Sequence, residues 1–423
     1  ESYQKYGGVL TFARSVGYAV VKKPEGYTTA KVDQIIQEYE KKSAHEQQST
    51  AKQYPNIITV VNETFADIKV LGDFKTNEDY MPYFHSLKKN CVTGYTYASI
   101  VGGQTANTEF ELLTGNTLGF LSAGTTAFQL YIHGQMPSLV SNLKAEGYSG
   151  NKAMHPFNPY NYNRPAVYKD FGFTDFIDKF DFPKNVKRVR EYISDEANVD
   201  RIISEYEKNR KKTDQPFYMY NMTIQNHSPY DKDTANFKQP IKIESSKYDA
   251  EANRYLNLIK YSDDSLKQLT SYFEKCKEPT IILFLGDHQP RLTDEFMNKI
   301  TNGQYQTWSS EQMMKRYQVP FVIWANYDIK EQHIEKTSMN YIQSILTKTA
   351  GVKMTGYQRF LNEVRKEVPT ITSQGYWGKN GKFYQINDKG SPYYGIIQKY
   401  RMIQYNMMFD KKNRRDSFFE VSK

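Results

Sequence analysis

Asn56-Ile57-Ile58-Thr59-Val60-Val61-Asn62-Glu63-Thr64 decides the fold. From Ile57 to Val61 every side chain is apolar or β-branched. The strand this predicts must be covered on both faces, as in the interior of a parallel sheet. Residues 217–224, 280–285 and 319–325 are written in the same style, and helical spacing lies between the strands over 136–146, 198–211 and 250–276. Strands alternating with helices predict an α/β chain with a mostly parallel central sheet flanked by helices.

Outward from this core the texture changes twice. Residues 29–53 carry Val32, Ile35, Ile36 and Tyr39 at helical spacing and then a Ser/Gln/Lys-rich stretch, which predicts a helix and a linker. After about residue 351, short segments punctuated by Gly, Tyr and Pro take over, and Asn380-Gly381 is a strong hairpin signal. The expected division is therefore 1–53 as a helical and linker segment, 54–350 as the main domain, and 351–423 as a small α+β subdomain with antiparallel strands. No apolar run reaches the ~18 residues that span a bilayer. Residues 7–21 come nearest and are broken by Arg14 and Ser15, so this piece is expected to be soluble. Because it begins at Glu1 with no signal-peptide pattern, it is expected to follow a membrane anchor.

Aromatic residues form 15% of the 423, with 35 Tyr, which excludes a disordered chain. The 56 basic and 47 acidic residues give a net charge of +9, favouring anionic partners. The basic residues are scattered among acidic ones. The tightest cluster, Lys411, Lys412, Arg414 and Arg415, reads as a solvated face, and with no basic stripe a nucleic-acid partner is not expected. Two cysteines, Cys91 and Cys276, exclude a disulfide scaffold and leave a single bridge open.

In open α/β sheets, reactive groups gather where strands end at their carboxyl edge. The strand through Val61 runs into Glu63, and the strand through Leu285 runs into Gly286-Asp287-His288. Two carboxylates and an imidazole at one edge suit a divalent cation. Each has a plainer alternative, Glu63 as the cap of a following helix and Asp287 as a turn residue. Gly102-Gly103-Gln104-Thr105 leads into a helical pattern, placing Thr105 at or just before a helix N-terminus, where an alkoxide and a phosphate are favoured. The alternative is an ordinary Thr cap, with Thr108 to Glu111 as a competing capping box.

Asn62-Glu63-Thr64-Phe65, Gln104-Thr105-Ala106-Asn107-Thr108-Glu109-Phe110, Asn226-His227-Ser228-Pro229-Tyr230 and Gly286-Asp287-His288-Gln289-Pro290 stand in the order and rough spacing of the lipoteichoic acid synthase family. The chain resembles that family over about 56–350 and again at Tyr400-Arg401-Met402-Ile403-Gln404-Tyr405-Asn406. The family belongs to the sulfatase-like branch of the alkaline phosphatase superfamily. The resemblance implies a sulfatase-like catalytic domain and a phosphoglycerol transferase. It implies Glu63, Thr105, Asp287 and His288 as ligands of Mn²⁺ or Mg²⁺, Thr105 also being the nucleophile. It further implies His155, Arg164 and His227 around the glycerol phosphate group, with His227 as acid or base. Tyr162, in Asn161-Tyr162-Asn163-Arg164, stands where the family often has Trp. A phosphatidylglycerol-like lipid donor is implied, and as acceptor a glycerol phosphate polymer, a glycolipid or a wall polysaccharide. The implied setting is the outer face of the cell membrane of a Gram-positive bacterium.

Within the superfamily, a sulfatase would need a Cys/Ser-x-Pro-x-Arg motif, which neither Cys91 nor the Thr105 segment supplies. Phosphoethanolamine transferases typically carry zinc and several disulfides. Other superfamily phosphotransferases or phosphodiesterases, and a non-catalytic module binding wall polymers, are the remaining alternatives.

Overall fold

The computed structural model describes residues 21–44, 53–244, 250–303 and 305–421. The apolar run up to residue 20 and the expected linker over 45–52 lie outside the described residues. In chain order the strands are β1 (Asn56–Asn62), β2 (Cys91–Tyr97), β3 (Ser149–Met154), β4 (Asp175–Ile177), β5 (Arg188–Val189), β6 (Tyr192–Ile193), β7 (Phe217–Met222), β8 (Thr280–Gly286), β9 (Gln318–Ala325) and β10 (Gln332–Ser338). β5 and β6 form a separate ribbon. The others make an eight-stranded sheet in the order β10-β2-β9-β8-β1-β7-β3-β4. It is parallel throughout except for β9, which runs antiparallel to β2 and β8.

β1, β7 and β8 are buried at every position. The period of a strand explains how one apolar run serves two faces. Ile57 and Val61 of β1 join one hydrophobic cluster, and Ile58 and Val60 join the other. Helices cover both. The first face packs α1 (Thr29–Lys42), α2 (Thr105–Thr114), α3 (Leu139–Ala145) and α4 (Arg164–Phe171), and the second α5 (Asp195–Arg210) and α6 (Ala250–Phe273). The first face also takes α7 (Met339–Thr349), α8 (Gly356–Glu367) and α9 (Tyr394–Met408). Val32 of α1 and Phe360 and Ile403 of the last helices share that one core with β1.

Helix boundaries follow their caps. α3 begins at Leu139 rather than at residue 136 because Ser138 and Ser141 form a reciprocal capping box behind Pro137. α5 starts three residues earlier than its apolar spacing suggests, since Ser194 accepts from the Ala197 N–H and Asp195 and Glu196 occupy the first turn. Beyond α8, β11 (Thr370–Thr372), β12 (Gly375–Trp377) and β13 (Phe383–Tyr384) form a three-stranded antiparallel sheet. Asn380-Gly381 lies in the β12–β13 turn, with Gly381 at φ 77°. Cys91 and Cys276 are both free thiols.

One glycine governs how β1 and β8 end together. A Cβ at Gly286 would lie 1.8 Å from the Phe65 carbonyl oxygen, so only glycine lets the chain after β1 fold back against the end of β8. Gly286→Ala is therefore expected to lower stability by roughly 1–3 kcal/mol, the usual cost of overpacking. The urea midpoint measures it, and an unchanged midpoint would show that the Phe65 carbonyl can retreat freely.

Candidate active site

The register of the sheet brings four chain segments to one edge. Asn62 pairs with Gly286, Val61 with Met222, and Met154 with Asn221. The residues that follow these strands, Glu63, Asp287-His288, Thr223 to His227, and His155, therefore emerge side by side at the carboxyl ends of adjacent parallel strands. Glu63 does not cap a helix. Its backbone N–H donates to Thr223 Oγ1 at 2.9 Å and its Oε1 accepts from Thr64 Oγ1 at 2.9 Å. Thr64 sits at φ 55°, a strained position for a β-branched residue, and spends it on turning its N–H toward Asp287 Oδ1 at 2.6 Å. Asp287 Oδ1 accepts the His288 N–H as well, at 2.8 Å.

Three ligand atoms, one each from Glu63, Asp287 and His288, lie within 4.8 Å of one another, and all three residues are buried. His288 donates Nδ1–H to the Gln289 carbonyl at 3.0 Å, which leaves the Nε2 lone pair 3.2 Å from Asp287 Oδ2 and 3.8 Å from Glu63 Oε1. Asp287 Oδ2 and His288 Nε2 are buried without a hydrogen-bond partner. Burial, and then the adjacent Asp287 charge, pushes the Glu63 carboxyl well above the usual range. Acceptor atoms with nothing to accept and crowded negative charge fit a cation between them.

Thr105 is the first residue of α2 and is 6% exposed. Three successive residues at positive φ precede it, Gly102 at 67°, Gly103 at 147° and Gln104 at 65°, and they bring the helix start sharply over the sheet edge. Thr105 Oγ1 lies 3.5 Å from Glu63 Oε2. The competing capping box does not form. Thr108 Oγ1 instead donates to the Asp287 carbonyl at 2.8 Å, and Glu111 accepts from Ser99 and from the Leu118 N–H. α2 is thus tied directly to the segment that carries Asp287 and His288.

His155, Tyr162, Arg164 and His227 line the same pocket as Glu63, Thr105 and His288. His155 donates Nδ1–H to the Met222 carbonyl at 2.9 Å. Burial, reinforced by the Arg164 cation, holds its imidazole neutral and well below the usual histidine range. Arg164 reaches the pocket while paired from behind. Its Nε and Nη2 both donate to Glu109 Oε1, at 3.0 and 2.7 Å, in a fully buried pair. Tyr162, at φ 58°, lays its ring 5.1 Å from the guanidinium carbon. His227 donates Nδ1–H to the Ser228 carbonyl at 2.7 Å and lies partly open, its ring against Phe157 and Tyr192.

Several supporting residues carry no motif signature. Glu109 has nothing in its local sequence to mark it out, yet Tyr168 and Tyr220 also donate to it, so it is the acceptor that orients Arg164. Arg190 is the clamp of the His227 loop, donating to the carbonyls of Gln225, His227 and Pro229 at 2.8, 2.8 and 2.7 Å. A charged residue with three carbonyl acceptors looks like any surface arginine in one dimension. Asn226, by contrast, stands inside a recognised segment, and its amide bonds Asn62 and Ser262 beneath the site.

Known proteins share this family and fold. The family model described as Sulfatase matches residues 55–352. A putative cyclic beta-1,2-glucan modification protein of Rhizobium meliloti is 30% identical over 99% of this chain, which spans 64% of that relative's length. Among solved structures, a Streptococcus pyogenes phosphoglycerol transferase in complex with sn-glycerol-1-phosphate superposes with a TM-score of 0.76 at 20% identity, covering 95% of this chain and all of that one. A lipoteichoic acid synthase of Listeria monocytogenes superposes at 0.63 and 20% identity, covering 92% of this chain and 99% of that one. With that family model spanning more than half of the chain, and an acidic, imidazole-containing cluster at the carboxyl edge of a mostly parallel sheet, the chain belongs to the sulfatase family.

Proposed function

We propose that this chain is a phosphoglycerol transferase that moves glycerol phosphate from a phosphatidylglycerol-like lipid to a cell-envelope polymer through a glycerophospho-threonine at Thr105. The observation that carries the reading is Thr105 itself, buried at the first turn of α2 and 3.5 Å from a carboxylate whose neighbouring ligand atoms lack partners. The shared fold with a transferase solved with sn-glycerol-1-phosphate and with a lipoteichoic acid synthase supports it.

Glu63, Asp287, His288 and Thr105 would hold a divalent cation, Mn²⁺ or Mg²⁺, which when bound makes the threonine hydroxyl more acidic and offsets phosphate charge. The chain's own groups do the rest. The start of α2 aims free backbone N–H groups and the positive end of its dipole at the reacting oxygen. Arg164, locked by Glu109 through Nε and Nη2, lines the pocket and would offer its remaining N–H groups to a phosphate oxygen. His155, neutral and with its only proton on Met222, presents Nε2 as an acceptor, which suits a glycerol hydroxyl better than a phosphate oxygen. His227 presents Nε2 at the pocket, where it takes the proton of the incoming hydroxyl or returns it to the leaving alcohol.

In the first half, Thr105 Oγ1 bonds to phosphorus and the lipid ester oxygen leaves as the hydroxyl of diacylglycerol. In the second, an acceptor hydroxyl bonds to phosphorus and the bond to Thr105 breaks. The donor places the reaction at the outer face of a cell membrane. No helix among the described residues is long and apolar enough to cross one.

Incubated with phosphatidylglycerol vesicles, the protein is expected to gain a glycerophosphate adduct that maps to Thr105 by mass spectrometry. Thr105→Ala should gain none and release no diacylglycerol, and an adduct on another residue would sink the assignment. Chelation is expected to lower the thermal midpoint, because a cation at 100 times its Kd adds about 2.7 kcal/mol, and Mn²⁺ should restore it. His288→Ala should lose most of that shift. If chelator leaves the wild-type midpoint where it was, the cation has no place in the reading.

A further inference from the structure

We propose that a second cleft beside the catalytic pocket is the acceptor site and is built for an uncharged sugar rather than a polyanion; this rests on the transferase reading above. The cleft encloses about 460 Å³, within the span of roughly 300–1,000 Å³ usual for small-molecule sites. It shares Gly102, Gly103 and Gln104 with the catalytic pocket. One loop therefore has the catalytic pocket on one side, the cleft on the other and Thr105 at its end.

The lining distinguishes what each side accepts. Among the described residues no Asp, Glu, Lys, Arg or His lines the cleft, although 24% of the chain is charged. The catalytic pocket is lined by Glu63, Arg164, Arg291 and three histidines. A run of glycerol phosphates would bring one negative charge per unit against a wall with no cation to meet it. A sugar hydroxyl both donates and accepts, and its ring has apolar C–H faces. Gln104, Ser122 and Gln374 supply amides and a hydroxyl, and Leu121 and the Tyr317 ring supply apolar surface.

The walls are pinned from opposite ends of the chain. Ser373 Oγ donates to the Ser99 carbonyl at 2.7 Å, and the Ser373 N–H donates to Ser99 Oγ at 3.1 Å, holding the β11–β12 turn against the loop that leads to Thr105. On the other side, Asn107 of α2 donates Nδ2–H to the Thr125 carbonyl at 2.9 Å. Gln374 projects from the turn and is exposed. A sugar in the cleft would send a hydroxyl oxygen to phosphorus. The P–O bond to the sugar forms, the bond to Thr105 Oγ1 breaks, and the hydroxyl proton returns to Thr105 by way of His227 or water.

The test uses the full chain with Mn²⁺, phosphatidylglycerol vesicles as donor, and either a neutral gluco-oligosaccharide or a glycerol phosphate oligomer as acceptor. Transfer to the sugar is expected to exceed transfer to the oligomer by about tenfold or more. Gln374→Trp and Ser122→Trp, which fill the cleft from its rim, are expected to move the partition of glycerol phosphate from sugar to water by about tenfold. They should also weaken the saturation-transfer NMR signal of the sugar, a readout independent of turnover. Preference for the anionic oligomer, or sugar binding and partition that survive both substitutions, would overturn the cleft assignment alone. Failure of the wild-type protein to cleave the donor would overturn the transferase reading and this inference with it.

Discussion

Two carboxylates withdrawn from water at the end of a parallel sheet are the constraint that the rest of the structure serves. Burial disfavours the Glu63 charge and the neighbouring Asp287 charge disfavours it again, a crowding that opposite charge between the two would relieve. The scaffold leaves few other exits. Thr64 and His288 direct their N–H groups at a single oxygen of Asp287, and His288 turns its ring by bonding the Gln289 carbonyl. These bonds fix the acceptors and leave Asp287 Oδ2 and His288 Nε2 bare. The arrangement stores an unmet electrostatic demand, which is what a cation site needs before the cation arrives.

A second opposition runs across the pocket. Arg164 is buried beside a neutral His155, and the arginine's charge is balanced from behind by Glu109. A guanidinium anchored on its far side has little rotamer freedom left to lose to any ligand of the pocket. Glu109 therefore makes the arginine a fixed electrostatic wall rather than a mobile arm.

What could be read in one dimension followed from what leaves a local mark. A strand buried on both faces must be apolar at consecutive positions, so β1, β7, β8 and β9 were legible from composition, and their alternation with helices fixed the class of fold. Towards the two ends of the sheet, β3 and the edge strand β10 were not, because Ser149-Gly150-Asn151-Lys152 and Gln332-His333-Ile334-Glu335 carry polar residues where the sheet meets solvent. At the site, Glu63, Asp287 and His288 could be picked out because they follow buried strands directly. Thr105 could not be separated from an ordinary cap without its neighbours. The role of Arg190 and the pairing of Arg164 with Glu109 were invisible, since a clamp on three carbonyls and a buried ion pair exist only once distant segments meet.

The distance along the chain between the cluster's two halves has a consequence for how the protein is made. The bond from Thr64 to Asp287 joins residues 223 apart, and β1 gains its neighbours β7 and β8 only after most of the chain exists. Closing so long a loop costs entropy that only the assembled sheet repays. A nascent or partly unfolded chain accordingly lacks the complete cluster of Glu63 with Asp287 and His288, unlike small domains whose metal nucleates their folding. The cluster would be loaded after folding, in whatever compartment the finished chain occupies, so the ion present there would decide which metal the protein carries.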